Sequence, residues 1–394
     1  MGRGLRHSPG KECLTLLDFV GLTHRRYRLD TRFAALLLRR RQRMDREIEN
    51  DFPNLPPGCN IQLERVARER VLAKVKAVLS DLNHFIPETI QTWGQESGLP
   101  LTFGHFISAT DLSAVDVLRR HSWSEWKALA MQQPLPVDPD LALLRKALPR
   151  IALRSDPELL RSLLNDNIAD ERSDGSMAIA MHYLRWGKTG AALGLNTLAE
   201  SARRWHTNPS IVADAVEIAA WRLNHPTTPL RDIALPFPCW LTLHAQYGSA
   251  EIKAGLGLST LESAGPTGQG VIHAAELKCY IHLITFRKDD RVFSPTTRYR
   301  DYPISATKLH WESQSTISQR STTGQNYLYF RERGYTILFF ARLERQIDGE
   351  TAPFTYLGPA KALLSAEEER PMRMVWELEY PIPAGLLEEA IPAV

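Results

Sequence analysis

The spacing of apolar and polar residues predicts helices in the middle of the chain and strands toward its C-terminal part. Apolar residues recur at a helical period between Ile61 and Leu79, with arginines and lysines between them. A capping box at Ser122–Glu125 and the pair Asn208–Pro209 each precede apolar residues of helical spacing, which predicts two further helices. After residue 236, strand-like runs alternate with turns rich in Gly, Pro, Ser and Thr. The predicted strands span residues 279–286, 308–314, 335–341 and 372–379.

The beginning of the sequence combines a strand-like run with the most basic part of the chain. Glu12–Val20 is apolar, ends at Gly21 and predicts a buried strand. Residues 24–46 carry nine arginines and two aspartates, and the apolar residues among them give a predicted helix one apolar and one cationic side. This helix presents either an ordinary solvated face or a surface that contacts phosphates, and both interpretations stay open. In the second interpretation the DNA contacts are made by Arg25, Arg26, Arg39, Arg40 and Arg41.

Length and composition restrict the class of protein. The chain has 394 residues, 43% hydrophobic and 24% charged, which is typical of a globular protein with two or three domains and excludes a disordered one. The longest apolar runs are too short to cross a membrane, so we expect no membrane partner. Its four cysteines are far apart in the sequence, which favours neither a disulfide framework nor a zinc site and suits the cytoplasm. The net charge of +3 does not by itself indicate a nucleic-acid partner.

Two groups of motifs carry a resemblance to a known family. Gly2-Arg3-Gly4-Leu5-Arg6, followed by the predicted strand, resembles the last motif of the second motor lobe of superfamily-two helicases. Several C-terminal motifs resemble the uncharacterised C-terminal domain of bacterial helicases of the restriction and phage-defence type. These motifs are Phe293–Ser305, Leu309–Gln314, Thr323–Gln325, Thr351–Pro359 and Arg370–Met372. Leu63–Val71 and Ser122–Trp123 also resemble the connecting region of those helicases.

The resemblance implies an ATP-dependent motor of which this chain contains only part. The phosphate-binding GKT/GKS loop and the DExx box of such helicases are absent from the sequence. By resemblance, Arg3 and Arg6 would contact the γ-phosphate of ATP held with Mg²⁺ by the missing first lobe. We therefore expect no cofactor and no ATP hydrolysis for the isolated chain, which would be a truncated gene product or a split subunit. The expected partners are DNA and either the missing motor lobe or a separate nuclease domain or subunit.

These observations predict an α+β multidomain architecture with three regions. Residues 1–50 would be a fragment of a RecA-like motor lobe, made of one strand and the basic helix. Residues 51–235 would be a helical connecting region, and residues 236–394 a β-rich C-terminal domain. Within the helical region, the short helices predicted between Thr102 and Met131 form either a helix-turn-helix-like DNA module or a plain helical spacer.

Polar residues concentrate on one face of the predicted strand 308–314. His310, Glu312 and Gln314 share that face, because side chains alternate along a strand. One interpretation is a DNA-reading surface. Its residues would be Arg298, Arg300, Lys308, His310 and Gln314.

Two alternatives to a reading surface stay open at this strand. Asp301 with Glu312 and Gln314 has the outline of a metal-dependent nuclease core of the PD-(D/E)xK type. The strand could equally be an amphipathic element whose polar face serves only a hydrogen-bond network. For the whole protein, the hypotheses are therefore DNA binding, metal-dependent nuclease activity and a non-catalytic protein–protein scaffold.

Overall fold

The computed structural model describes mainly the middle and C-terminal parts of the chain. The described residues are Ile48, 68–69, Leu72 and 82–391, without 111, 166–174, 269, 288–300 and 368–369. The predicted strand 12–20 and basic helix 24–46 lie outside them, as do most of the predicted helix 61–79 and the site residues Arg3, Arg6, Arg25, Arg26, Arg39, Arg40, Arg41, Arg298 and Arg300. The chain divides into two compact units, Met1–Thr89 and Ile90–Val394. Residues on both sides of the predicted boundary at 235/236 belong to the second unit, so that boundary stays a prediction.

Short helices fill the described residues before 225. They are α1 (Leu82–Glu96), α2 (Phe103–Thr110), α3 (Ala114–Arg120), α4 (Trp123–Ala130), α5 (Leu141–Leu144), α6 (Ala147–Ala152), α7 (Pro157–Leu164), α8 (Gly175–Trp186), α9 (Gly190–Leu193), α10 (Leu198–His206) and α11 (Pro209–Asn224). No helix among the described residues is long and apolar enough to span a membrane.

Side-chain caps explain where several of these helices begin. The Ser122 hydroxyl accepts the Glu125 N–H at 3.2 Å, and the Glu125 carboxylate accepts the Ser122 N–H at 2.6 Å. This reciprocal pair is the predicted capping box, and it satisfies two backbone donors that a helix start leaves unpaired. Pro209 is the first residue of α11, as the Asn208–Pro209 pair predicts.

The residues after 240 form a mostly antiparallel sheet with three helices. The strands are β1 (Gln246–Tyr247), β2 (Val271–Ala274), β3 (Cys279–Thr285), β4 (Tyr302–Pro303), β5 (Lys308–Glu312), β6 (Thr336–Arg342), β7 (Gln346–Ile347), β8 (Glu350–Thr351), β9 (Phe354–Ala366) and β10 (Arg373–Leu378); the helices are α12 (Ser249–Gly255), α13 (Thr322–Leu328) and α14 (Ala384–Ala390). The main sheet has the order β2-β3-β6-β9-β10-β5-β4, with β1 paired to β9, and β3 runs parallel to β6. The strands β7 and β8 form a separate hairpin.

The main sheet curls so that distant strands meet across its core. The ring of His282 on β3 lies 4.2 Å from the ring of Trp311 on β5, although β6, β9 and β10 separate these strands in hydrogen-bonding order. Phe339 and Trp376 complete this core together with Tyr327 of α13. The opposite face of β3 and β6 packs against a second apolar cluster that includes Ile252 of α12. The two sides of the sheet are therefore both covered in this region.

A buried polar contact joins the helices to the sheet domain within the second unit. The Arg154 guanidinium, at the end of α6, pairs with the Glu251 carboxylate of α12 at 3.0 Å, and both side chains are at most 5% exposed. The Tyr247 hydroxyl of β1 donates to the Asp156 carboxylate, which also caps α7. Charges that leave water so completely must be paired, which ties α6 and α7 to the start of the sheet domain.

The predicted α+β architecture, with a helical middle and a β-rich C-terminal region, is confirmed. Three strands are shorter than predicted. β3 lacks one residue at its end, β10 lacks one at each end, and β5 ends at Glu312 and not at Gln314. Next to the strand end, the Ser313 hydroxyl accepts the Met372 N–H at 2.9 Å. A side chain thus replaces the backbone carbonyl that would accept this N–H if strand pairing continued. Burial still alternates past the strand end, since Ser313 is buried and Gln314 is half-buried.

Candidate nucleic-acid interface

The hairpin β4–β5 lies at one edge of the main sheet and carries most of the described candidate residues. Tyr302 pairs with His310 and Pro303 with Leu309 in antiparallel register. Along β5, Leu309 and Trp311 are buried in the core, whereas Lys308, His310 and Glu312 occupy the other face. The alternation predicted for His310 and Glu312 is present, and Gln314 lies half-buried beyond the strand end.

Two flat rings stack on the outer face of this hairpin. The Tyr302 and His310 rings have centroids 4.7 Å apart and planes within 14° of each other. Tyr302 is 39% exposed, and the ring of its partner is half-buried beneath it. Exposed aromatic rings are the usual platforms on which unpaired bases stack. The sequence shows Tyr302 only as an aromatic residue in a basic run, so its partner could not be identified before the register was known.

The charges on the outer face of β5 and its neighbours are nearly balanced. Glu312 lies opposite Arg373 of β10, and their charged atoms are 3.7 Å apart. Lys361 on β9 donates to Glu377 on β10 at 3.0 Å. Lys308, next to these pairs, is exposed. Dense phosphate binding requires an excess of cations, so this face is better suited to contacting bases than to neutralising a backbone.

Two residues of the nuclease hypothesis are in contact, and the third lies just beyond the end of β5. Asp301 is buried, and its Oδ1 accepts the Glu312 N–H at 3.1 Å. This contact orients the Asp301 carboxylate toward the backbone of β5. Gln314 lies past the end of that strand. Among the residues that the structure describes, no three His, Cys, Asp or Glu side chains are grouped so that they could hold a metal ion.

His282, Cys239 and Cys279 of the sheet domain are removed from water. His282 is completely buried, and burial lowers its pKa to about 3, so it remains neutral at physiological pH. Burial raises the pKa of the Cys239 thiol to about 11, and that of Cys279 even further. These cysteines are therefore protonated thiols, unlike the thiolates that act as nucleophiles.

Most tryptophans of the helical region belong to its core. Trp93, Trp123 and Trp126 are buried, whereas Trp221 and Trp240 are half-buried. The rings of Trp123 and Phe106 are 5.1 Å apart, as in a packed aromatic cluster. The three helices α2, α3 and α4 form the predicted run of short helices between Thr102 and Met131.

A family comparison covers the sheet domain with its hairpin. Residues 241–390 match the family model described as Domain of unknown function (DUF3427). The match spans all ten described strands and ends with the last residue of α14. No curated protein matches the chain. The C-terminal motifs that carry the resemblance to a helicase-associated domain all lie inside this matched region.

Proposed function

We propose that this chain is the DNA-binding C-terminal part of a helicase-like restriction or defence protein. In this proposal, the sheet domain recognises DNA and an ATPase motor elsewhere in the assembly uses that recognition. The family match supports it, because the matched domain typically occurs in helicase-associated proteins. The motifs around Arg3 and Arg6 support the same assignment by resemblance.

The observation that carries the proposal is the stacked ring pair on the hairpin β4–β5. Tyr302 offers an exposed aromatic face, and His310 and Lys308 place hydrogen-bonding groups beside it. Base recognition requires this combination of a stacking surface with polar groups that reach base edges. The nearly neutral charge of the face is consistent with a reader whose phosphate contacts are made by other residues.

The buried Arg154–Glu251 pair gives this reader a firm connection to the helices. A sheet domain that recognises DNA can influence a motor only if the residues between them are packed firmly enough to move together with it. The pair at 3.0 Å and the Tyr247–Asp156 hydrogen bond join α6, α7, α12 and β1 into one packed block. We infer that the helical region couples DNA recognition to the motor.

Replacing the stacking ring tests the proposed function directly. Tyr302→Ala should weaken binding of the full chain to a labelled single strand of DNA by about tenfold, since one base–aromatic stack contributes roughly 1–3 kcal/mol. Fluorescence anisotropy at low salt measures the affinity. Tyr329→Ala is the matched control, because Tyr329 is a comparably exposed tyrosine of the same domain at 45%. Equal affinities of both variants and the wild-type chain would contradict the proposal.

The same preparations distinguish the alternatives. A DNA reader needs no divalent metal, and Gln314→Ala should relax sequence preference by roughly 1–3 kcal/mol at one base pair. Cleavage that needs magnesium or manganese and is lost in Glu312→Gln would instead support the nuclease hypothesis. Absence of DNA binding by the wild-type chain at low salt would favour the protein–protein scaffold.

A further inference from the structure

A ladder of three aromatic rings lies at the β2 edge of the main sheet. His273 of β2 is directly opposite Tyr280 of β3, and their ring centroids are 4.3 Å apart with planes within 8° of each other. The ring of Tyr335, the residue before β6, lies 5.3 Å from the Tyr280 ring and 5.9 Å from the His273 ring. Tyr280 is buried and Tyr335 is half-buried, whereas His273 is exposed. The ladder therefore ends in a ring that solvent reaches.

This ladder is separate from the stack of Tyr302 and His310. Tyr280 belongs to the apolar cluster that also contains Trp311, so the ladder lies on the core-forming face of the sheet, at the end of the strand order that begins with β2. The Tyr302–His310 stack lies on the outer face of β5, at the other end of that order. The main sheet therefore carries one stacked ring pair near each end, on opposite faces.

Contacts with α13 hold the middle ring of the ladder in place. The Asn326 amide donates to the Tyr280 hydroxyl at 2.9 Å, and Arg333 donates to Asn326 Oδ1 at 2.8 Å. Tyr327, the next residue of α13, packs edge-on against Tyr280 with ring centroids 4.9 Å apart. A flat ligand that stacks on His273 would therefore meet a ring pair that is already fixed, which lowers the entropic cost of binding.

Two cations lie in the turns beside the ladder. A Cβ at Gly334 would lie 4.0 Å from Lys278 Nζ, which places this ammonium next to the turn that leads to Tyr335. Arg333 lies in that same turn, and both cations are exposed. Neither of them forms an ion pair with a carboxylate of the described residues. Their charges are therefore available to an anionic ligand.

Two carboxylates keep this edge of the sheet from being strongly cationic. Glu276 and Glu332 are exposed in the same turns as Lys278 and Arg333. A duplex is bound largely through many phosphate contacts, for which a surface of nearly balanced charge is poorly suited. Exposed flat rings favour unpaired bases instead, because the faces of paired bases are covered by their neighbours in the duplex. The ladder therefore favours a single strand.

We propose that the ladder is a second base-stacking site, at which His273 receives an unpaired base of single-stranded DNA while Lys278 and Arg333 contact the flanking phosphates. Imidazole rings are among the side chains on which bases stack. Partial desolvation lowers the pKa of His273, so its ring is neutral at physiological pH. The choice of DNA rests on the proposed function, whereas the stacking chemistry does not.

The test replaces the outermost ring in two ways. His273→Ala removes the ring, and His273→Phe keeps a flat ring at the same position. Because His273 is exposed, both variants leave the core intact, and their thermal unfolding midpoints should equal that of the wild-type chain. His225→Ala is the matched control, since His225 is also exposed and its ring lies 6.0 Å from that of Trp221.

Fluorescence anisotropy at low salt measures the affinity of each full chain for a labelled oligothymidylate single strand. His273→Ala should bind it about tenfold more weakly, which is the effect expected from one lost stack. His273→Phe and the control should bind it as the wild-type chain does. The affinity for a duplex of mixed sequence should be the same for all four chains.

A second measurement tests the phosphate contact with the same single strand. Lys278→Gln should make the plot of log K against log salt shallower by about 0.7, the value for one phosphate contact on a single strand. Lys188→Gln, which removes an exposed lysine of the helical region, should leave the slope unchanged. Equal slopes of both lysine variants would show that Lys278 contacts no phosphate and would contradict that part of the proposal.

The outcomes separate this proposal from the proposed function. If Tyr302→Ala weakens binding while His273→Ala behaves like its control, the ladder proposal is wrong and the reader stands. If only His273→Ala weakens binding, the ladder binds the base and the hairpin β4–β5 does not. Equal losses in His273→Ala and His273→Phe would show that stacking is not the interaction and would overturn the proposal. A wild-type chain that binds the duplex but not the single strand would overturn it as well.

Discussion

The helical region and the sheet domain bury polar side chains in different ways. In the helices, His182 lies between two partners: Nε2 donates to the Lys188 carbonyl at 2.8 Å, and Nδ1 accepts the Ser201 hydroxyl at 2.7 Å. In the sheet domain, His282 is equally buried, yet neither ring nitrogen has a hydrogen-bond partner among the described residues. Its neighbours are aromatic rings, with Trp311 at 4.2 Å and Phe339 at 4.9 Å.

The difference follows from how each architecture satisfies its backbone. Every short helix leaves free N–H groups at its start, so polar side chains such as Asp156 and Glu125 are buried where they cap these ends. A sheet pairs its backbone groups between strands, so its inward faces are free to carry large rings. Buried charge is therefore a structural element in the helical region, and it joins that region to the sheet domain through Arg154.

The largest effect on stability is expected from breaking the ion pair between Arg154 and Glu251, which joins the helical region to the sheet domain. Arg154→Met should lower the free energy of unfolding by about 3–5 kcal/mol, because it leaves the Glu251 carboxylate buried without its partner. Lys361→Met breaks the pair with Glu377 on the sheet surface, where Lys361 is 57% exposed, and should cost less than about 1 kcal/mol. Urea denaturation of the full chain measures both values. Equal losses would show that burial does not distinguish the two pairs.

A second test uses the buried carboxylate of α11. Burial raises the pKa of Asp214 from its ordinary value near 3.8 to about 6, although hydrogen bonds from Ser124 oppose the shift. The folded chain therefore keeps this proton at a pH where the unfolded chain has lost it. The contribution of Asp214 to stability is present below pH 4 and is lost as the pH rises toward 6.

The Asp214→Asn variant removes this titration. As the pH rises from 4 to 6, the wild-type chain should lose up to about 3 kcal/mol of unfolding free energy that the variant does not lose. Thermal or urea unfolding at several pH values measures it. A difference that does not vary with pH would show that Asp214 titrates normally.

The smallest expected effect compares the two buried histidines. His182→Phe removes two hydrogen bonds and leaves Ser201 and the Lys188 carbonyl without them, which should cost about 1–3 kcal/mol. His282→Phe removes two buried nitrogens that lack partners, so the free energy of unfolding should rise by up to about 1 kcal/mol. A comparable loss at both positions would indicate that His282 is hydrogen-bonded in solution.

Two helix starts and four of the ten described strands (β3, β5, β6 and β10) could be predicted because local sequence determines them. The long strand β9 was not among them. The capping box at Ser122 and the proline at position 209 act within one turn of helix, and turn residues bound the strands on both sides. The order of the strands could not be predicted in this way. The pairing of β3 with β6 and of β5 with β10 joins residues more than fifty positions apart, and only packing of the aromatic core selects these partners.

The candidate site also contains features that local sequence predicts and features that it does not. Strand alternation placed His310 and Glu312 on one face from sequence alone. The stack of the Tyr302 and His310 rings depends on the register of β4 with β5, which nothing local in the sequence indicates.

The long strand β9 also has a consequence for the order of events during synthesis. Its thirteen residues pair with β1, β6 and β10, which makes it the central member of the curled sheet. The ribosome releases β3 and β6 before β9. The apolar faces of these two strands and the free edge of β6 are therefore exposed until β9 has been synthesised. Pairing over such separations in sequence is slow, and open strand edges invite pairing with other chains. Residues 354–366 therefore give β6 its partner, and the open edges of β5 and β9 close only when β10 (Arg373–Leu378) has emerged as well.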